Sequence, residues 1–139
     1  MLTHMLFHHI GVATKDIYAT AAVYERGGYK RSASILDPIQ DVNICWLRKK
    51  GAPTIELISP VDEKSPVNKI IEKNGVSAYH CCYIVDNIED SIVELRKQQY
   101  VIISKPVAAV AFKGSRVCFL FNKNVGLIEL VEAPADIIE

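Results

Sequence analysis

Apolar and polar positions along this chain follow one series of rhythms and then repeat it. From Phe7 to Thr14, β-branched and apolar residues run almost unbroken, which predicts a strand. Thr14-Lys15-Asp16 offers a helix start, and Ile17, Ala21, Ala22 and Tyr24 fall on one helical face before Gly27-Gly28 ends it. Tyr29 to Leu36 reads as a second strand, broken by Asp37-Pro38. Val42 to Lys49 and Thr54 to Ser59 read as a hairpin around Gly51-Ala52-Pro53. Ser65-Pro66 predicts the cap of a short helix running through Lys73 and closed by Asn74-Gly75. The series then restarts. Ala78 to Val85 predicts a strand, and Ile88, Ile92, Val93 and Leu95 mark a helix. Further strands are expected near Tyr100 to Ser104, Arg116 to Phe121 and Leu127 to Val131, with Gly114 and Gly126 at turns.

Each half therefore reads βαβββ, and residue identities support a duplication. A shift of 71 pairs His9 with His80, Ile17 with Ile88 and Tyr29 with Tyr100. After two added residues, a shift of 73 pairs Cys45 with Cys118, Leu47 with Leu120, and Ile55-Glu56-Leu57 with Ile128-Glu129-Leu130. The expected fold class is α+β, with two tandem modules in a single domain spanning 1–139. Module one covers about 6–60, a linker helix segment 61–76, and module two about 77–133. The two curled mixed sheets are expected to form one cleft.

Strand alternation gives the repeated tripeptide its chemical meaning. In Ile-Glu-Leu the glutamate points away from its two apolar neighbours, which need a core beneath the helix layer. Glu56 and Glu129 are then left on the other face. His9 is opposed in the same way to Ile10 and Val12, and His80 to Cys81 and Tyr83. A lone strand glutamate is usually solvated, and a lone histidine is usually a hydrogen-bonded structural residue. Four such residues at matched positions of a duplicated module instead suggest two imidazoles and two carboxylates aimed into one cleft, a set of metal ligands. His4 and His8 lack this pairing, since Tyr79 stands opposite His8, and they are read as structural or surface residues.

Composition narrows the class further. The chain has 139 residues, half of them hydrophobic, and 16 basic residues balance 16 acidic ones. That suits one soluble domain with a real core, and it gives no electrostatic case for nucleic acid or an anionic membrane. The basic run Arg48-Lys49-Lys50 reads as a solvated hairpin end. Cys45, Cys81, Cys82 and Cys118 lie in apolar runs with no C-x-x-C spacing, which predicts buried free thiols in a reducing cytoplasm. Neither a signal peptide nor a run of transmembrane length is indicated.

His8-His9-Ile10-Gly11-Val12-Ala13, the two Ile-Glu-Leu strands and the paired layout resemble the vicinal oxygen chelate (glyoxalase/bleomycin-resistance) superfamily over nearly the whole chain. Within it the chain is most similar to the methylmalonyl-CoA epimerase family. The stretches that carry this are Ile55-Glu56-Leu57-Ile58-Ser59-Pro60, Ser65-Pro66-Val67, Ile70-Ile71-Glu72-Lys73-Asn74-Gly75, His80 and Val85-Asp86-Asn87-Ile88. The resemblance implies that His9, Glu56, His80 and Glu129 ligate a divalent Co, Ni, Mn, Zn or Fe ion. It also implies proton removal next to a carbonyl, with Glu129 as both ligand and base, a small-molecule substrate of the acyl thioester kind, and a homodimer.

Two stretches depart from the epimerase pattern. Those enzymes carry a further glutamate in the loop before the third strand, the acid/base for the opposite face of the α-carbon. Here Asp37-Pro38-Ile39-Gln40-Asp41-Val42 places Ile39 at that position, leaving Asp37 or Asp41 as shorter substitutes. The glycine-rich segment before the penultimate strand reads Ala108-Ala109-Val110-Ala111-Phe112-Lys113-Gly114-Ser115-Arg116. Lys113 and Arg116 could there meet a substrate anion, or serve as a turn lysine and a strand-end arginine. The leading expectation is a metal-dependent isomerase or epimerase. The alternatives are a glyoxalase I-type lyase on a glutathione hemithioacetal and a non-catalytic binder. Retention of all four ligand residues counts against the binder, and Glu56 counts against an extradiol dioxygenase, which needs only two histidines and one glutamate.

Overall fold

The structure, a computed structural model, describes residues 3–139. Strand β1 (Leu6–Ala13) opens the fold and leads into helix α1 (Ile17–Arg26). The Asp16 side chain accepts the amide of Ala19 at 3.1 Å and so caps the helix. At the other end Gly28 takes a left-handed φ of 97°, its amide bonds Glu25 O, and the Tyr29 amide reaches back to Tyr24 O. The rings of Tyr24 and Tyr29 then meet edge to face at 5.4 Å, completing a Schellman stop with its hydrophobic contact. Four strands follow, β2 (Lys30–Arg31), β3 (Ile35–Asp37), β4 (Val42–Arg48) and β5 (Thr54–Pro60), and then helix α2 (Val67–Asn74).

The chain divides into two units. One is His9–Tyr79, and the other is His80–Ile138 together with the segment ending at His8. In the first unit β5 lies between β1, which it pairs in parallel, and β4, which it pairs antiparallel, while β2 and β3 share the far side of β4. Val12, Ile17, Ala21, Cys45, Leu47, Ile55 and Leu57 form one buried cluster between sheet and α1, which accounts for the apolar spacing in each element.

The second unit repeats the plan with β6 (Ser77–Val85), α3 (Ile88–Lys97), β7 (Val101–Ile102), β8 (Val107–Ala108), a 3-10 turn at Val110–Phe112, β9 (Arg116–Asn122) and β10 (Gly126–Glu132). β10 pairs β6 in parallel and β9 antiparallel, with β7 and β8 on the far side of β9. Val85, Ile88, Ile92, Leu95, Tyr100, Cys118, Leu120, Ile128 and Leu130 make its core. Asn87 caps α3 as Asp16 caps α1, accepting the Asp90 amide at 2.9 Å. All four cysteines are free thiols, three of them buried, and burial raises the Cys118 thiol to about 12.

Three expectations need correction. The strand predicted over Tyr29–Leu36 is split in two. Between Arg31↔Leu47 and Ile35↔Ile44, four steps on one strand face three on the other (35 − 31 against 47 − 44), a bulge in which the Ser32 hydroxyl accepts the Trp46 amide at 2.8 Å. The strand expected at Tyr100–Ser104 breaks in the same way, with the Ser104 hydroxyl accepting the Phe119 amide at 3.0 Å. Ser65 does not cap α2 through its side chain. Pro66 holds the cap position, and the Ser65 hydroxyl instead accepts the amides of Val61 and Asp62 and donates to Asp41 Oδ2 at 3.0 Å. Among the described residues no helix is long and apolar enough to cross a membrane.

Candidate metal centre

In the first unit Glu56 is the Cα partner of Gly11 on β1, and His9 lies two residues before Gly11. An even offset on adjacent strands puts both side chains on one face. Ile55 and Leu57 meanwhile face the α1 cluster. His9 Nε2 comes within 3.2 Å of Glu56 Oε1, with His9 wholly buried and Glu56 4 % exposed. The second unit reproduces this register. Glu129 is the Cα partner of Cys82, His80 lies two residues before it, and His80 Nε2 stands 3.3 Å from Glu129 Oε1. Both of these side chains are buried.

Each histidine also packs edge to face on an aromatic ring, His9 on Trp46 at 5.0 Å and His80 on Phe119 at 5.2 Å. Trp46 is the direct cross-strand partner of Glu56, and Phe119 that of Glu129. These rings close the imidazole flank of each pair to water, and serines 32 and 104 hold their backbones at the bulges. The sequence expectations did not include the two aromatics. The signal was present, since the shift of 73 that aligns Cys45 with Cys118 and Leu47 with Leu120 also aligns Trp46 with Phe119.

Burying a carboxylate beside an imidazole costs several kcal/mol per ion unless each charge is compensated, roughly the penalty that a divalent cation offsets. Each unit carries one imidazole nitrogen and one carboxylate oxygen on buried side chains, and each of these residues offers one ligand atom that could hold a metal. Nitrogen and oxygen donors in equal number suit first-row divalent ions of intermediate hardness.

The other residues singled out from the sequence play lesser parts. Asp37 is 1 % exposed and committed to its turn, accepting the amides of Ile39 and Gln40 at 3.0 Å and the Gln40 side chain at 2.7 Å. Asp41 accepts from Ser65. Ile39 stands 61 % exposed at the loop tip. Arg116 is a structural residue: its guanidinium forks onto Glu89 and also grips Glu132, whose Oε2 accepts the Ile88 amide at 2.9 Å. Lys113 is an exposed turn residue with a left-handed φ of 54°. His4 is exposed, and His8 packs on Phe112 with ring centroids 5.0 Å apart.

Residues 8–119 match the family model of the Glyoxalase/Bleomycin resistance protein/Dioxygenase superfamily, and the chain belongs to that superfamily. Its relatives narrow the class. It is 29 % identical over 130 residues to the mitochondrial methylmalonyl-CoA epimerase of Homo sapiens, covering 91 % of this chain and 73 % of that one. It superposes on the crystal structure of methylmalonyl-CoA epimerase from Mycobacterium tuberculosis with a TM-score of 0.81 at 26 % identity, covering 95 % and 92 % of the two chains. A hypothetical protein of Bacillus halodurans C-125 gives 0.84 at 28 % identity, covering 99 % and 100 %. The α+β glyoxalase-like fold and the epimerase resemblance expected from the sequence are both borne out.

Proposed function

We propose that this protein is a metal-dependent isomerase that removes and returns a proton on a carbon next to a carbonyl, in an acyl-CoA-type thioester. The carrying observation is the pair of His–Glu contacts, set in the same register and backed by the same aromatic packing in two copies of one module. His9, Glu56, His80 and Glu129 together hold one divalent Co, Ni, Mn, Zn or Fe ion. Such an ion supplies Lewis acidity to substrate carbonyl oxygens, which acidifies the neighbouring C–H bond. Glu129 takes the proton and gives it back, a role that needs a carboxylate close to the reacting carbon. Trp46 and Phe119 keep water from the imidazole flanks. The epimerase names of the relatives support the acyl-CoA substrate class, and the homodimer expected of the superfamily is part of the same reading.

The loop at Ile39 limits what the site does. An alkyl side chain carries no proton, the Asp37 carboxylate is held by its own turn, and that of Asp41 accepts from the Ser65 hydroxyl. Proton exchange on one face is therefore expected to outpace inversion of the stereocentre. Purified protein reconstituted with each metal, assayed for metal content and by NMR for α-proton exchange of methylmalonyl-CoA in D2O, tests the reading. Stoichiometric metal with rapid exchange and slow racemisation is expected, and Glu129→Gln should retain the fold while losing exchange. Metal without exchange on any acyl-CoA, together with turnover of a glutathione hemithioacetal, would establish the lyase instead. Absence of bound metal after reconstitution would sink the four-ligand site.

A further inference from the structure

Strand alternation sorts the basic residues at the β2–β4 corner into two groups. Arg31 and Lys49 turn to the helix side, and both are engaged there. Arg31 lies 3.7 Å from Glu25 and stacks over Tyr18 at 5.2 Å, while Lys49 Nζ donates to Gly27 O at 2.9 Å. Lys30 and Arg48 turn the other way. They are direct cross-strand partners, and Arg48 is two residues from Trp46, the partner of Glu56. Lys30, Arg48, Trp46 and Glu56 therefore share one face of the sheet. Both cations are exposed, and among the described residues neither has an acidic partner.

Like charges directly opposite one another destabilise a sheet. Edge protection explains lysine on an outer strand in general, but the equivalent edge of the second unit does without it. There Val101 is the partner of Phe121, and these apolar residues occupy the positions of Lys30 and Arg48. The cation pair is thus a feature of one copy only, placed on the same face as a ligand pair. Arg48 lies about 7 Å along β4 from Trp46, taking roughly 3.4 Å per residue. An anion gripped there belongs to a part of the ligand remote from the reacting carbon.

We propose that Lys30 and Arg48 form an outer subsite for the phosphate groups of the coenzyme-A portion of the substrate. The guanidinium supplies a forked donor set and the ammonium a second point charge. This assignment rests on the acyl-CoA reading given above, and the probes below separate the two.

Calorimetric titration of the metal-loaded protein with coenzyme A, with pantetheine and with inorganic pyrophosphate provides the test. Lys30→Ala/Arg48→Ala is expected to weaken coenzyme A binding about tenfold or more and to leave pantetheine unchanged. Lys50→Ala, which removes a neighbouring surface charge, should bind like the wild type. Equal coenzyme A affinity in wild type and double variant overturns the subsite and leaves the substrate class standing. Pyrophosphate binding that depends on the pair, with no preference for coenzyme A, keeps the subsite and overturns the thioester reading. If neither phosphate-bearing probe binds the wild type, the subsite is refuted. Unchanged circular dichroism of the double variant excludes loss of fold as the cause.

Discussion

Gln99 carries a left-handed backbone, φ 71°, at the position that stops α3, and its counterpart in the first module is Gly28 at φ 97°. The hydrogen bonds of the two stops are the same, with the Gln99 amide to Arg96 O and the Tyr100 amide to Leu95 O. Glycine enters this region freely, whereas a side chain meets roughly 1–2 kcal/mol of steric cost there. Gln99→Gly is therefore expected to stabilise the protein by about 0.5–1 kcal/mol after its larger unfolded-state entropy is deducted. A urea melt read by fluorescence checks this; a midpoint at or below that of the wild type would contradict it. At this scale the sequence was partly legible. Gly27-Gly28 announced the first stop, but Gln98-Gln99 carries no such signal, and only the duplication points to it. Ser32 and Ser104 were hidden in the same way, because a hydroxyl that replaces a strand hydrogen bond leaves the apolar pattern unchanged.

Among the elements, α3 is pinned by charge as well as by its apolar face. Arg116 on β9 bridges Glu89 in the first turn of the helix to Glu132 on β10, and Glu132 also receives the Ile88 amide. The hydrogen bonds from Arg116 hold both carboxyls below their ordinary value of 4.5. Groups whose folded pKa is depressed stabilise the fold above the unfolded pKa and lose that contribution as pH falls through the folded value. Arg116→Met is thus expected to lower Tm by about 2–4 °C at pH 7, and the difference from wild type should shrink as pH drops below 4.5. A gap independent of pH, measured by scanning calorimetry, would show that the ion pairs contribute nothing. The apolar rhythm revealed helices and long strands well. The breaks between β2 and β3 and between β7 and β8 escaped it, because a bulge is set by hydrogen bonding across to β4 or β9 rather than by the alternation of the strand itself.

For the molecule as a whole, the chain passes from one unit to the other between His8 and His9 and again between Tyr79 and His80. Each proposed ligand histidine is thus the first residue after a crossing. A metal that binds only the folded chain adds to its stability by mass action, about 2.7 kcal/mol at a hundredfold excess over Kd. Added divalent ion should raise Tm, EDTA should reverse the shift, and Glu56→Gln and Glu129→Gln should both blunt it. An ion that left Tm unchanged in the wild type would speak against a shared centre. The duplication singled out the four proposed ligand residues from the sequence alone, while Lys30 and Arg48 became visible only through the pairing of β2 with β4. The repeat also lets each half serve as a control experiment for the other. Histidine, glutamate, aromatic ring, serine bulge and helix caps agree between the copies, and these are what the module requires for itself. Gly11 against Cys82, Lys30 against Val101 and Arg48 against Phe121 disagree, and it is through such mismatches that two copies of one module come to differ in what they can recognise.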